Sequence, residues 1–151
     1  MKHFIPLVIA AFFAAPLAAQ TQAEDLDVTQ FLPATMDDLS EFRWKKRPVV
    51  VFADSESDPA YIEQLELLRA RTDALAARDV VVLLDTDPDA RGALRLQLRP
   101  RGFMLVLIGK DGGVKLRKPF PWDVREITRS IDKMPMRQRE IRDAKEAGSD
   151  R

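Results

Sequence analysis

The chain has 151 residues, with 24 basic and 24 acidic side chains, so its formal net charge is zero. It contains no cysteine and a single histidine, His3. Disulfide exchange, thiolate nucleophiles, disulfide bonds and cysteine-ligated zinc are therefore excluded, since each of them needs a thiol.

The first 19 residues have the pattern of a secretory signal peptide. Lys2 and His3 precede an uncharged run that ends in small residues at Ala19. The run is about 16 residues long, whereas roughly 20 are needed to span a bilayer, so we expect cleavage rather than a membrane anchor. Cleavage after Ala19, or alternatively after Ala23, predicts a periplasmic or secreted protein without a transmembrane anchor. It also removes His3, which excludes histidine-dependent triads and zinc sites.

The rest of the chain is long enough for one domain. We expect a flexible lead-in at residues 20–30, a domain at 31–146 and a disordered tail at 147–151. The segment from Phe31 to Arg47 is expected to pack on the domain edge, with Thr35 capping a short helix. Continuous apolar runs at residues 49–52, 80–84 and 103–108 predict central strands that are covered on both faces.

Cap and turn signals predict how these strands are connected. Asp58-Pro59 predicts a crossover helix of about 18 residues, and Asp87-Pro88 predicts a second helix to Leu98. Asp111-Gly112 predicts a hairpin that returns residues 114–117 antiparallel to the third run. A last helix is expected from Pro121, with Pro135 kinking it or starting a further helical piece that ends at Arg142.

The resulting order, β-α-β-α-β-β-α, predicts a thioredoxin-like α/β fold: a central mixed sheet with helices on both faces. The stretches 51–60 and 102–114 resemble the two active-site segments of thioredoxins. On this register Ser57 and Ala60 stand at the positions of the family's two thiols, and Met104 stands at the position of its cis-proline. The resemblance therefore implies that the scaffold is kept without its redox chemistry.

A closer resemblance covers nearly the whole predicted domain. It rests on Arg47 to Phe52, on the segment 107–115 with its Lys-Asp-Gly-Gly turn and, most specifically, on the Met-Pro-Met-Arg part of the segment 131–137. These segments resemble the family of the domain of unknown function 4174. Membership implies a thioredoxin-like fold found in exported bacterial proteins and in vertebrate matrix proteins of the sushi-repeat type, and it assigns no catalytic residue.

Two loops place acidic residues directly after predicted strands, where ligand sites of open α/β sheets lie. The acids are Asp54, Glu56 and Asp58 in the first loop, and Asp85, Asp87 and Asp89 in the second. Oxygen-rich loops suit Ca²⁺, but helix capping explains these residues without a metal, and we expect no metal or other cofactor. Ser55 and Ser57 suggest a hydrolase, although no base is paired with them by spacing, and backbone hydrogen bonding is the simpler interpretation.

Charge is distributed unevenly along the chain. Residues 20–98 carry 9 basic and 16 acidic side chains, whereas residues 99–151 carry 14 basic and 8 acidic ones. The basic half suggests binding of an anionic glycan, lipid or acidic protein, and export argues against nucleic acid. The alternative is mutual neutralisation within the fold. The predicted binding residues are Arg99, Arg101, Lys115, Arg117, Lys118 and Arg137.

Arg137 has two interpretations. It either pairs with Glu140 at helical spacing while Met134 and Met136 fill the core, or it forms part of a docking surface at the Pro135 kink. The leading hypothesis for the whole protein is an exported, non-redox module that binds an anionic or protein partner of the cell envelope or extracellular space. The alternative is an enzyme that acts at the loop Asp54–Pro59.

Overall fold

The computed structural model describes residues 29–149. In this part of the chain, five strands form one mixed sheet in the order β1-β3-β2-β4-β5. The strands are β1 (Phe31–Pro33), β2 (Arg47–Phe52), β3 (Val80–Asp85), β4 (Met104–Ile108) and β5 (Val114–Lys118). β1 and β2 run parallel to β3, while β4 is antiparallel to β2 and to β5.

Helices cover both faces of this sheet. They are α1 (Pro59–Arg69), α2 (Thr72–Ala76), α3 (Ala93–Leu98), α4 (Val124–Asp132) and α5 (Pro135–Ser149). Alternate strand residues such as Val49 and Leu107 pack with α1, α2 and α4, whereas Val50 and Val106 pack with α3 on the opposite side. The continuous apolar runs thus reflect burial on two faces, and the predicted α/β class and thioredoxin-like topology are confirmed.

The N-terminal segment of the domain differs from the prediction in two ways. Residues Phe31–Pro33 form a fifth strand, β1, which pairs with β3 from Phe31↔Val82 to Pro33↔Leu84. The short helix expected after Thr35 is instead a 3-10 turn at Ser40–Phe42. The carboxylate of Asp38, not Thr35, accepts a hydrogen bond from the backbone of Ser40 at 2.7 Å.

Both helices predicted between the central strands are broken. The first divides into α1 and α2 because Arg71 leaves the helical conformation, with φ −137° and ψ 40°. In the second, Asp87-Pro88 opens only a 3-10 turn at Pro88–Ala90. Arg91 then takes a left-handed conformation at φ 49°, and α3 begins after Gly92. A cap and a proline start a helical turn, but they do not determine whether it continues.

The C-terminal helices also have different bounds from those predicted. α4 begins at Val124, capped by Asp123, rather than at Pro121. Pro135 starts a separate helix, α5, which continues past Arg142 to Ser149, so residues 147–149 are helical where a disordered tail was expected. The predicted signal peptide and most of the lead-in lie outside the described residues. Between residues 29 and 149, no helix is long and apolar enough to cross a membrane.

Candidate binding groove

The sheet edge where thioredoxins carry their redox motif was the first candidate site. β2 ends here at Phe52, which pairs with Met104 at the start of β4. Ser57 lies exposed in the loop before α1, and Ala60 lies in the first turn of that helix. Met104 therefore lies beside the end of β2.

The polar side chains of this edge are engaged in local structure. The hydroxyls of Ser55 and Ser57 lie 3.2 Å apart, and between residues 29 and 149 no carboxylate or amine bonds to either. Asp58 caps α1 by accepting hydrogen bonds from the backbones of Ala60 and Tyr61 at 2.8 and 3.4 Å. The loop therefore has the geometry of a helix cap and shows no nucleophile paired with a base.

The second acidic loop is organised by an ion pair. Arg95 of α3 contacts the Asp85 carboxylate at 2.8 Å, and both side chains are nine-tenths buried. The same guanidinium donates to the carbonyl of Ala53 at 2.9 Å and lies 5.4 Å from the centroid of Phe52. Asp87 caps the following turn. Within the described part of the chain, no group of three or more potential ligands is arranged to hold a metal ion.

At the opposite end of the sheet, charged side chains form a network centred on Glu140 of α5. Arg47, the first residue of β2, is 1% exposed and donates to the two Glu140 oxygens at 2.9 and 3.3 Å. Lys110 donates to Glu140 at 2.8 Å and to Asp79 at 2.7 Å, and Arg137 donates to Glu140 at 3.1 Å. The Glu140 carboxylate thus joins α5 to β2 and to the turn between β4 and β5.

Glu140 remains ionised in this network over a wide pH range. Burial raises its pKa, but hydrogen bonds from Arg47, Lys110 and Arg137 outweigh that effect and lower the pKa to about 2. The pKa of the neighbouring Asp132 is also lowered, chiefly by a hydrogen bond from Arg78. Glu140 is therefore negatively charged at neutral pH and holds its three cationic partners in place.

A pocket of about 270 Å³ opens above this network. Arg47 and Lys110 line it together with Lys115 and Arg139, while Met134, Pro135 and Met136 supply apolar surface. The Met-Pro-Met segment, which carried the most specific family resemblance, is thus one side of a cavity.

A second cavity of about 530 Å³ lies between β5 and α4. Lys118 and Lys133 line it, and the ammonium of Lys118 lies 4.6 Å from the centroid of the Trp122 ring. The two cavities share Lys115 and Met134, so they adjoin. We call the combined surface the basic groove; its basic residues are Arg47, Lys110, Lys115, Lys118, Lys133 and Arg139.

The basic groove carries excess positive charge. Asp111 pairs with Lys115 at 2.8 Å, and Asp79 and Glu140 pair with Lys110 and Arg47. These three carboxylates leave an excess of three positive charges among the six basic residues. Lys118, Lys133 and Arg139 have no carboxylate partner in the part of the chain that the structure describes. Such a surface attracts anionic groups.

The six basic residues proposed from the sequence do not form one surface. Lys115 and Lys118 lie in the basic groove, and Arg137 lies behind it, engaged with Glu140. Arg117 points to the other face of β5, where its guanidinium donates to the carbonyl of Leu98. Arg99 and Arg101 follow directly after Leu98 in the chain and are exposed.

Four residues of the basic groove were not predicted from the sequence as binding residues. They are Arg47, Lys110, Lys133 and Arg139. Arg47 offered one signal, a charge at the first position of an otherwise continuous apolar strand. Lys110 belongs to the Lys-Asp-Gly-Gly turn, and Lys133 and Arg139 have no local pattern that separates them from ordinary surface cations, because the groove forms only where β2, the β4–β5 hairpin, α4 and α5 meet.

Sheet order, flanking helices and the absence of any cysteine define a thioredoxin-fold protein that lacks the thiols of thioredoxins. Within that class, the chain belongs to the family of the domain of unknown function DUF4174, whose model matches residues 38–140. Coiled-coil domain-containing protein 80 from Danio rerio is 32% identical to it over 133 residues. That alignment covers 68% of this chain but only 15% of the fish protein.

Solved structures show the same fold. The chain is similar to a thioredoxin from Malassezia sympodialis (TM-score 0.53, 14% identity), with 70% of this chain and 90% of that one covered. It is similar to chloroplastic thioredoxin z (TM-score 0.53, 20% identity), with 71% and 96% covered. Prx1a of Plasmodium yoelii gives a TM-score of 0.52 at 18% identity, with 67% and 80% covered.

Proposed function

We propose that this protein is an exported, non-redox thioredoxin-fold module that binds an acidic partner of the cell envelope or extracellular space through the basic groove. The observation that carries the proposal is the pair of adjoining cavities with six basic side chains and an excess of three positive charges. Export is proposed from the signal-like residues 1–19.

Rigid support favours binding at this groove. Arg47 and Lys110, at its floor, are fixed by Glu140, so they need little reordering when a ligand arrives. Lys118 and Lys133, at its side, have no carboxylate partner among the described residues and are available to a ligand. Met134 and Met136 add flexible apolar surface that adapts to different side chains.

Chemical-shift mapping with hexaglutamate tests the proposal. We expect the peptide, added at low salt to the ¹⁵N-labelled protein, to shift the backbone resonances of residues 109–118 and 133–139. The double variant Lys118→Glu/Lys133→Glu reverses two side chains that have no ion pair in the described structure, so it weakens binding without breaking a native ion pair, although the contact of Lys118 with the Trp122 ring is lost. We expect at least about a tenfold loss of affinity, as two attractive charge contacts become repulsive.

Two control variants reverse the same number of charges elsewhere. Arg142→Glu/Lys145→Glu changes exposed positions on the distal part of α5, and Arg99→Glu/Arg101→Glu changes the other side of the sheet. Both are expected to bind hexaglutamate much more tightly than the groove variant. Shifts centred on residues 99–101, or an affinity loss that is equal in all three variants, would show that the groove is not the binding site.

A further inference from the structure

We infer that the partner segment binds the basic groove as an extended acidic strand, which adds to the free edge of β5. This inference rests on the proposed function and specifies the conformation and residue pattern of the partner. It concerns a continuous peptide segment with acidic side chains on alternate residues.

β5 offers a free edge for such pairing. It is the last strand in the sheet order and pairs only with β4 among the residues described. Its outer backbone N–H and C=O groups face no other strand there, and Val114 is 46% exposed. An unpaired edge is a template for a strand from another chain, and backbone hydrogen bonds then supply affinity.

The faces of β5 differ in the charge they offer. Leu116 pairs with Leu107 and Lys118 with Leu105, which places both on the side of α4 and the basic groove. Because the register shifts between Leu107 and Ile108, Lys115 is not paired with a single residue of β4. Lys115 also lines the groove. Three lysines, Lys115, Lys118 and Lys133, thus lie beside the edge on this one face.

The other face of β5 is less suited to an acidic ligand. Arg117 pairs with Val106 on that side, and the carbonyl of Leu98 already accepts from its guanidinium. In contrast, the ammonium of Lys118 lies over the ring of Trp122 and has no ion-pair partner among the residues that the structure describes. Because the side chains of an added strand alternate between the two faces, every second residue of the partner faces the lysines of the groove. Acidic residues are therefore expected at these alternate positions.

The spacing of the partner's acids follows from strand geometry. Residues two apart in a strand lie on the same face, roughly 7 Å from each other. Acidic side chains at positions i, i+2 and i+4 would run along the groove past its lysines. Their aliphatic stems would cover Leu116 and Trp122, which are partly buried in the core beneath the groove. The intervening positions favour β-branched residues, which stabilise an extended chain.

The test uses acetyl-Glu-Val-Glu-Thr-Glu-Val-Glu-amide as the probe. The protein is the whole chain that follows the predicted signal peptide. Two analogues carry backbone N-methyl groups. The first is methylated on every Glu residue, and the second is methylated on the Val and Thr residues. Each analogue loses the amide donors along one edge of the peptide while keeping its charge. Affinity is measured by calorimetry, and hydrogen exchange of the β5 amides is measured by NMR.

Strand addition predicts that the unmodified peptide slows hydrogen exchange in residues 114–118. It also predicts that at least one N-methylated analogue binds at least about tenfold more weakly, because several backbone hydrogen bonds are lost. If both analogues bind like the parent, or β5 exchange does not change, strand addition is wrong, while binding of an acidic ligand in the basic groove is still supported. If the parent peptide does not bind at all, the proposed function fails with it.

Discussion

Arg47 and Glu140, which are 93 positions apart in the chain, form a two-pronged ion pair with N–O distances of 2.9 and 3.3 Å. The pair attaches the last helix, α5, to the first residue of β2 in the centre of the sheet. Because Arg47 is 1% exposed, its charge depends on Glu140 for compensation. The ion pair at the floor of the basic groove therefore also holds α5 against the sheet.

Replacing Glu140 by alanine is expected to destabilise the fold strongly. Arg47 would be left as an uncompensated buried charge, and removal of one partner of such a pair typically costs about 3 kcal/mol or more. Urea unfolding at pH 7, followed by circular dichroism, measures the change in the free energy of unfolding. Glu146→Ala, an exposed position on the same helix, is the control and is expected to change it by less than about 0.5 kcal/mol. Equal effects of the two substitutions would mean that the pair does not support the fold.

Stability is expected to fall at acid pH because of the same carboxylate. The folded-state pKa of Glu140, about 2, lies below its ordinary value of 4.5. A depressed folded-state pKa contributes stability that is complete above pH 4.5 and is lost as the pH falls towards 2. We expect Glu140 to account for a loss of about 2 kcal/mol, less than the full shift implies, since the side chain is a quarter exposed and solvent screens it.

Urea unfolding between pH 7 and pH 2.5 measures this loss. In Glu140→Gln the titrating group is absent, so the acid side of its stability profile is expected to be flatter than that of the wild type. Asp132, whose pKa is lowered chiefly by a hydrogen bond from Arg78, still contributes in both proteins. Parallel profiles for wild type and variant would contradict the assignment to Glu140.

Arg137→Ala is expected to lower the stability of the fold. A pure docking role would leave the melting temperature unchanged, but Arg137 bonds to Glu140 at 3.1 Å and lies 3.6 Å from Asp132. Loss of these charged contacts is expected to cost about 1–2 kcal/mol, measured by thermal and urea unfolding. Arg125→Ala, an exposed site on α4, is the matched control and should be nearly neutral. A variant as stable as the wild type would restore the docking interpretation of Arg137.

A further prediction of stability concerns the edge opposite the groove. Arg95→Met removes the partner of the buried Asp85 and the donor to the Ala53 carbonyl, so we expect a loss of about 3 kcal/mol. The double variant Asp85→Leu/Arg95→Met should recover much of it, because no buried charge is left unpaired. Hexaglutamate binding, measured where each variant is folded, should be unaffected. Loss of binding in the folded double variant would place the binding site at this edge instead.

Local signals predicted much of the fold correctly. The three apolar runs are the central strands, and Asp111-Gly112 marks the hairpin between β4 and β5. The pairing of Arg137 with Glu140 followed from their spacing within one helix. β1 was not predicted because three residues are too few to show the hydrophobic pattern of a strand. Its pairing with β3 depends on the tertiary structure.

The candidate site was less predictable than the fold. Lys115 and Lys118 were identified from the basic character of the C-terminal half, but the same criterion selected Arg99 and Arg101 on the other side of the sheet. Charge composition does not say which cations share a surface. The ion pair of Arg47 with Glu140 depends on how β2 and α5 meet, and no periodicity connects residues so far apart in sequence.

The most direct test of the account is the charge selectivity of the groove. Calorimetry compares acetyl-Glu-Val-Glu-Thr-Glu-Val-Glu-amide with the same peptide carrying Lys in place of every Glu, at low and at physiological salt. The account predicts that the acidic peptide binds at low salt, that added salt weakens its binding, and that the basic peptide does not bind. Equal binding of the two peptides, or no binding of the acidic one, would contradict it.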